Sequence, residues 1–387
     1  MRFAALALSI AACGSTSNTG DAGRDDAAGS SGSDVGVVLD VGADAGRDVG
    51  TDAASPPVRT FVYVGLATGD LVTLDGVTLV ELSRTHTGDF PSFVTGTADG
   101  THLYVVNENA NEVASLDVTA AGVATVTHRQ PAAGGPTHIA IDHAEQLVFA
   151  AAYGSGHVFV FRVGAGGALT TAAVTDEATC GAHAHEVVVA PGDARIYVPC
   201  LGDDTVVVRE LSGTGALSPS SLMHTAAQAG PRHVAFSHDG RFAYVIDETA
   251  STLDVASVDA TSGALTPLQT ITTLPAGFTG TNACAEVLVS QGDRFVYASN
   301  RGHDSVAVFA RDAGTGRVTL VEHEPAGGMH PRSMTLTRDG AHLYVADRDS
   351  NLIAVLAVAA DGTLSPARTI PMPGMPYFVG ELVAPAP

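Results

Sequence analysis

An all-β fold assembled from repeated four-stranded units is predicted by three features of the sequence. A strand-like run centred on an aromatic residue returns at spacings of 45, 48, 47, 53 and 47 residues, the centres being Tyr104, Phe149, Tyr197, Tyr244, Tyr297 and Tyr344. An Asp/Gly turn separates two apolar strands in segments such as SHDGRFAY and TRDGAHLY. Helical periodicity is absent. A period of this size built from strands predicts a β-propeller with one blade per repeat.

The number of blades follows from the first strand of each repeat. Seven entry positions can be aligned, at Phe93, His138, His185, His233, Ala285, Ser333 and Phe378. The last of these strands has no second strand after it, and the run TFVYVGL at residues 60–66 has no first strand before it. We therefore expect seven blades, with N- and C-terminal strands pairing in one blade to close the ring and remove exposed edges.

Composition limits the partners that the protein can have. The formal net charge of −22 opposes binding to nucleic-acid phosphate and to anionic lipid. No continuous apolar segment is long enough to cross a bilayer as a helix. No nucleic-acid partner is expected, and because no feature indicates oligomerisation, a monomer is expected.

The N-terminal region has the composition of a targeting segment and a tether. Arg2 precedes a short apolar core at residues 3–12, and Cys13 follows small residues, as in a lipobox. The alternative is an ordinary signal peptide that contains a cysteine. Residues 1–13 predict a lipoprotein signal peptide with Cys13 lipidated, in a protein anchored in the bacterial cell envelope, in the periplasm or on the outer-membrane surface.

Two further regions follow the targeting segment. Residues 14–57 are rich in Asp, Gly, Ala and Ser and cannot bury enough apolar surface to fold, so they predict a disordered acidic linker. Residues 58–387 predict the propeller domain. The lipid anchor is the only membrane attachment that we expect.

Three cysteines follow Cys13. Cys180 precedes the first strand of one predicted blade and Cys200 ends the second strand of the same blade, so a Cys180–Cys200 disulfide is one expectation. The alternative is two unpaired buried thiols. No CxxC pair is present, and no structural zinc or other metal site is predicted.

Polar residues recur where a first strand begins and a second strand ends, two positions that meet at one mouth of a propeller. They are Asn107, Glu108, His138, Tyr153, His183, His185, Arg232, His233, Asp247, Glu248, Asn300, Arg301, Arg332, Asp347 and Arg348. Taken singly, such residues can face water, cap turns or form structural ion pairs, and we interpret Asn107, Asp247 and Asp347 in this way. As a set, several arginines facing His and Glu predict a site for an anionic ligand.

Three motifs resemble the seven-bladed lactonase family, which includes propeller-type 6-phosphogluconolactonases and the fungal carboxymuconate lactonizing enzyme. They are AHAHEVVVAPGDARIYVPCLGDD, GPRHVAFSHDGRFAYVIDE and ASNRGHDSVAVF, within a similarity over about residues 58–384. When the catalytic residues of the family are carried over by these motifs, the resemblance implies a catalytic set of His185, Arg232, Glu248 and Arg301. It implies no cofactor and no metal.

The roles of these residues follow from the chemistry of lactones. Arg232 and Arg301 would hold an anionic group and stabilise the oxyanion, while Glu248 or His185 activates water and the other protonates the leaving hydroxyl. The expected substrate is a small anionic lactone or sugar acid, and the reverse reaction would close a lactone ring. The residues expected to bind substrate are Glu108, His138, His183, His233, Asn300, Arg332 and Arg348.

A second class of function competes with the enzyme. Propellers also serve as non-catalytic surface proteins that bind a ligand or a protein partner. An enzyme predicts that His185, Arg232, Glu248 and Arg301 converge in an enclosed cavity. A binding propeller predicts a wide mouth in which those side chains pair with one another. A quinone- or metal-dependent propeller enzyme is a weaker third alternative, since no Trp docking motif supports it.

Overall fold

The computed structural model describes residues 59–173 and 179–385. The predicted signal peptide with Cys13 and the predicted linker at residues 14–57 lie outside these residues. Within them, no helix is long and apolar enough to cross a membrane.

In the part of the chain that the structure describes, twenty-eight strands form seven antiparallel four-stranded sheets, the predicted blades. Blade 1 contains β1 (Thr60–Leu66), β2 (Asp70–Asp75) and β3 (Glu81–His86). Blade 2 contains β4 (Pro91–Gly96), β5 (His102–Asn107), β6 (Glu112–Val118) and β7 (Ala124–Pro131). Blade 3 contains β8 (Pro136–Ile141), β9 (Leu147–Ala152), β10 (His157–Val163) and β11 (Leu169–Ala173). Blade 4 contains β12 (Val188–Val189), β13 (Arg195–Cys200), β14 (Thr205–Leu211) and β15 (Leu217–His224).

The remaining blades continue the same order. Blade 5 contains β16 (Pro231–Phe236), β17 (Phe242–Asp247), β18 (Thr252–Val258) and β19 (Leu265–Thr272). Blade 6 contains β20 (Ala283–Val289), β21 (Phe295–Arg301), β22 (Ser305–Arg311) and β23 (Val318–Pro325). Blade 7 contains β24 (Pro331–Leu336), β25 (His342–Asp347), β26 (Leu352–Val358) and β27 (Leu364–Pro371). The last strand, β28 (Pro376–Val383), is the innermost strand of blade 1 and pairs with β1, which confirms the predicted closure.

Three of the repeated aromatic residues connect one blade to the next. These side chains lie in the second strand and are almost completely buried. In three blades the tyrosine hydroxyl donates to a backbone carbonyl of the following blade: Tyr197 to Gly263, Tyr244 to Gly316 and Tyr297 to Gly362, at 2.9, 2.9 and 3.2 Å. The three glycines have positive φ, which a Cβ would strain. In these three blades the repeated tyrosine is therefore an interblade contact, whereas the Tyr104 hydroxyl has no hydrogen-bond partner in the described residues.

A β-bulge marks the start of the innermost strands. In blade 5 the register runs Pro231↔Asp247 and then His233↔Ile246, so Arg232 is an extra residue. The same irregularity lies at this end of blades 1, 2, 3, 6 and 7. A bulge re-aims a side chain, so two consecutive residues of each innermost strand are available to the centre of the ring.

The pairing corrects two of the predicted entry positions. Bridges Ala184↔Cys200 and Cys284↔Asn300 correspond to Pro231↔Asp247, so Glu186 and Glu286 are the equivalents of His233. His185 and Ala285 were therefore aligned one residue early. They correspond instead to Arg232.

Two layers of side chains result, one residue apart along the innermost strands. We call the outer layer the mouth ring: Ser92, Thr137, His185, Arg232, Ala285, Arg332 and Tyr377. We call the next layer the deep ring: Phe93, His138, Glu186, His233, Glu286, Ser333 and Phe378.

Cys180 and Cys200 form a disulfide in the structure, with 5.5 Å between their Cα atoms. Cys284 is buried and free. The bridge ties the chain that enters blade 4 to the end of β13, and His185 lies between the two cysteines in sequence. It therefore restrains the segment that carries His185.

Candidate functional site

One carboxylate joins two buried arginines from neighbouring blades. Glu248 Oε2 lies 2.9 Å from Arg232 Nε and 2.9 Å from Arg301 Nη2. The two arginine side chains are 2% and 7% exposed, against 26% for Glu248, so the carboxylate is the member of this trio that faces solvent. Glu248 follows β17 directly and Arg301 ends β21, which brings the two side chains to the same end of adjacent blades.

Backbone carbonyls of blade 6 hold both guanidinium groups in place. Arg232 Nη1 donates to the carbonyl of Ala285 at 2.6 Å. Arg301 donates to the carbonyls of Ala283 and Cys284 at 3.2 and 2.7 Å. Each guanidinium is thus oriented before any ligand arrives, as electrostatic catalysis requires.

The electrostatics of the trio leave an excess of positive charge. Burial would raise the pKa of Glu248, but Arg232, Arg301 and Arg332 outweigh it and hold that pKa below its usual value. Burial, with Arg232 beside it, lowers the pKa of Arg301 to about 10. The trio itself carries two guanidiniums against one carboxylate, and Arg332 adds a third guanidinium. The carboxyls that act on these arginines from outside the trio are Glu108, Glu186 and Glu286. The arrangement attracts an anion.

His185 is a neutral base beside these cations. Burial, followed by the charge of Arg232, lowers its pKa well below 6.5. Its ring lies 5.1 Å from the ring of His233 and 5.7 Å, edge to face, from that of Tyr153. Its Nδ1 has no hydrogen-bond partner among the described residues. A neutral imidazole at this position can accept a proton.

Arg332 and Arg348 contact the same aromatic ring but differ in charge balance. Their guanidinium carbons lie 4.7 and 5.5 Å from the centre of the Tyr377 ring. Arg348 donates to both oxygens of Asp349, at 2.6 and 3.1 Å. The described part of the chain places no carboxylate within 4.0 Å of Arg332. The charges of Glu108 and Glu248 act on Arg332 from farther away, so its guanidinium is still able to pair directly with an anionic group of a ligand.

The other predicted binding residues fall into three environments. Glu108 follows β5 directly; burial raises its pKa, and its Oε2 lacks a hydrogen-bond partner within the described residues. His183 stacks on Tyr153 with ring centres 4.1 Å apart. His138 and His233 belong to the deep ring and are almost fully buried, with ring centres 5.6 Å apart.

Asn300 is placed away from this group. It is fully buried, its Nδ2 donates to the carbonyl of Thr273 at 3.0 Å and its Oδ1 accepts from the Thr273 hydroxyl at 2.7 Å. Asn107 makes the same pair of bonds to Thr87, at 2.8 and 3.1 Å. Because strand side chains alternate between two faces, Asn300 points into its blade while its neighbour Arg301 reaches the ion trio.

Three residues that the sequence analysis missed belong to the site or support it: Glu186, Glu286 and Tyr377. The steps between the aromatic centres, applied to His233, lead back to Glu186 and forward to Glu286. The repeat spacing therefore contained the signal for Glu186 and Glu286, but the alignment of the first strands on His185 and His233 obscured it. Within residues 59–173 and 179–385, no group of three His, Cys, Asp or Glu has the arrangement of a metal site.

The contacts within the trio agree in part with both expected classes of function, an enzyme and a non-catalytic binding propeller. Arg232, Glu248 and Arg301 converge, as an enzyme predicts. They also pair with one another, as a binding propeller predicts. The fold and this cluster define a seven-bladed propeller with an arginine-rich group of side chains at the start of its innermost strands.

Comparison with known proteins places the chain in a family. The family described as "Lactonase, 7-bladed beta-propeller" matches residues 66–379, and the chain belongs to it. A 6-phosphogluconolactonase of Pectobacterium carotovorum is 31% identical over 284 residues, covering 73% of this chain and 85% of the relative.

Solved structures agree with the family. A periplasmic gluconolactonase of Pseudomonas aeruginosa has a TM-score of 0.77 at 27% identity, with 84% of this chain and 100% of that chain covered. A protein from Lactobacillus plantarum has a TM-score of 0.75 at 28% identity, with coverages of 84% and 99%. The chain is thus similar to lactonases over nearly all of the described propeller.

Proposed function

We propose that the protein is a lactonase that hydrolyses an anionic sugar lactone or carboxy-lactone at the mouth of the propeller, or closes such a ring in reverse. The observation that carries this proposal is the bridging of Arg232 and Arg301 by Glu248 beside a neutral His185. The similarity to 6-phosphogluconolactonases supports it. The catalytic residues are His185, Arg232, Glu248 and Arg301.

The acid–base roles follow from the charge states. His185 is uncharged and takes a proton from water, whose oxygen then attacks the lactone carbonyl. Arg232 and Arg301 stabilise the oxyanion of the tetrahedral intermediate. The ring C–O bond breaks, and the protonated His185 returns its proton to the leaving oxygen. Glu248 remains ionised and holds both guanidiniums in register.

Arg332 supplies the preference for a charged substrate. Its guanidinium is held against Tyr377 and has no carboxylate partner within 4.0 Å among the described residues. A phosphate or carboxylate on the lactone would provide that partner. Glu108, His183 and Arg348 lie around the rim and contact the rest of the substrate.

We further propose that the protein is exported and anchored by lipid on Cys13. The targeting pattern of residues 1–13 supports export, and one structural neighbour is a periplasmic enzyme. Metabolic labelling with a radioactive fatty acid tests this: wild type incorporates label and Cys13→Ser does not. Equal labelling of the two proteins contradicts the anchor.

The pairing of the trio also favours a second candidate, a non-catalytic propeller that binds a ligand or partner. Acid release over a panel of aldonolactones, phosphorylated lactones and muconolactones separates the two. We expect turnover by wild type, loss in Glu248→Ala, and a selective loss on charged lactones in Arg332→Ala. The matched control is Arg241→Ala, which removes an arginine that forms an ion pair with Asp239 on the surface. Activity equal in wild type and Glu248→Ala would contradict the proposed site.

A further inference from the structure

A buried layer of acids and histidines lies directly beneath the proposed catalytic residues. Four of its members, one from each of blades 3 to 6, contact one another: His138, Glu186, His233 and Glu286. Each is less than 9% exposed. None has a role in the proposed reaction, although buried ionisable groups are costly unless they are partnered.

Hydrogen bonds connect this layer to Arg232. Glu286 Oε1 lies 2.6 Å from His233 Nδ1, and Arg232 Nη1 lies 3.2 Å from His233 Nε2. A guanidinium has donors only, so it can hydrogen-bond Nε2 only if that nitrogen carries no proton. The proton of the neutral imidazole must then be on Nδ1, and it needs an acceptor there. Glu286 Oε1 is that acceptor.

We propose that Glu286 is a positioning residue: it fixes the Nδ1–H tautomer of His233, and His233 thereby orients the Arg232 guanidinium for catalysis. The inference rests on the proposed lactonase function for its kinetic readout. The alternative tautomer would point Nε2–H at the Arg232 N–H, with two donors facing each other and no acceptor between them.

The charged surroundings of the pair are consistent with this role. Glu286 faces Arg232 and Arg332, His233 faces Glu186 as well as Glu286, and Glu186 reaches His138. Burial raises the pKa of Glu286 to about 8 in spite of the two arginines, and burial lowers that of His233 well below 6.5. A neutral carboxyl keeps a carbonyl oxygen that can accept from Nδ1–H, so the tautomer does not depend on the charge of Glu286.

Glu286→Gln and Glu286→Leu test the role of the acceptor. Gln retains a carbonyl oxygen at this position and Leu does not. With the most active lactone of the panel, we expect Gln to keep kcat within about threefold and Leu to lower it about tenfold or more, with KM little changed, because an oxyanion donor is displaced. Similar kcat in all three proteins, or equal losses in Gln and Leu, would overturn the proposal.

The matched control is a half-buried histidine–carboxylate contact elsewhere in the same fold, with side chains 27% and 22% exposed. His238 Nδ1 lies 2.7 Å from Asp293 Oδ1, in the turns that connect the first two strands of blades 5 and 6. Asp293→Asn is expected to change Tm but leave kcat unchanged. Loss of kcat in this control equal to that in Glu286→Leu would show that general destabilisation explains the effect.

Nitrogen-15 NMR of the full chain with labelled histidine gives a readout that needs no substrate. Comparison with His233→Gln assigns the ring, and we expect a protonated Nδ1 and an unprotonated Nε2 at pH 7. A protonated Nε2 would overturn the positioning role. If the NMR spectrum shows the expected tautomer but the protein hydrolyses no lactone, the proposed function is refuted. The contact by which Glu286 fixes the His233 tautomer would then still be supported.

Discussion

Neighbouring residues at the ends of the second strands have opposite environments. Asp247, Asn300 and Asp347 are fully buried inside their blades, while the residues that follow them, Glu248, Arg301 and Arg348, reach the site. The pleat of a strand produces this alternation. Asn fits the buried position because its amide both donates and accepts, as Asn300 does with Thr273. Asp fits this buried position less well because an ionised carboxylate accepts hydrogen bonds but cannot donate one.

Asp347→Asn is expected to stabilise the protein at alkaline pH. Burial, with Asp304 nearby, raises the pKa of Asp347 to about 8, and neither carboxyl oxygen has a hydrogen-bond partner in the described residues. Between about pH 4 and 8 the folded state holds a proton that the unfolded state has lost, so stability falls as pH rises. Asn removes this loss, and we expect Tm at pH 9 to rise by about 3 °C or more.

Thermal melts from pH 4 to pH 9 check this expectation, with the fully exposed Asp361→Asn as control. The difference between Asp347→Asn and wild type is expected to grow with pH, whereas the control shows no such growth. A difference that is constant or shrinks with pH would contradict the buried, protonated carboxyl.

At the scale of the strands, one extra residue at the start of each innermost strand builds the site. The bulge lets Arg232 of the mouth ring and His233 of the deep ring both reach the centre, where they meet Glu248 and Glu286. In blade 4 a disulfide supports the segment at the start of the innermost strand. The Cys180–Cys200 bridge closes a loop of 20 residues that contains His185.

Removal of this bridge is expected to lower both stability and activity. A cross-link of this span stabilises a protein by about 2–4 kcal/mol, and its loss frees the segment that carries His185. We expect the Cys180→Ser/Cys200→Ser variant to melt at a lower temperature than wild type, with a lower kcat. Adding reductant should lower the Tm of wild type and leave that of the variant unchanged. An unaltered melt in the double variant would contradict the structural role.

The strands were more predictable than the site. Repeat spacing, Asp/Gly turns and the unmatched terminal strands predicted seven blades and their closure, since these depend on local pattern and on the removal of edges. The trio of Arg232, Glu248 and Arg301 followed from strand ends together with family motifs. Glu186 and Glu286 were missed because a bulge shifts the register by one residue, and Tyr377 was missed because its importance comes from Arg332 in another blade.

At the scale of the whole molecule, the ring depends on one strand from the far end of the chain. β28 is the innermost strand of blade 1, and it carries Tyr377 of the mouth ring and Phe378 of the deep ring. Phe378 packs against Phe93 of blade 2 with ring centres 4.8 Å apart. Closure therefore supports the site as well as the fold.

Truncation after residue 375 is expected to abolish the cooperative melt and cause aggregation. It removes β28, which leaves the edge of β1 unpaired and exposes Phe93. Truncation after residue 385 retains every strand and serves as the control, with an unchanged melt. If the protein truncated after residue 375 were soluble and kept the wild-type Tm, closure by β28 would be contradicted.

Turnover of the panel's best lactone by wild type and by Arg301→Ala, measured as initial rates of acid release, tests the central claim most directly. Arg301 contacts two backbone carbonyls and Glu248. In the proposed reaction it is one of two donors to the oxyanion, so its removal is expected to take that donor away and leave the blade intact. We predict a loss in kcat of about 100-fold or more with an unchanged far-ultraviolet circular dichroism spectrum. Equal kcat in the two proteins would contradict the account.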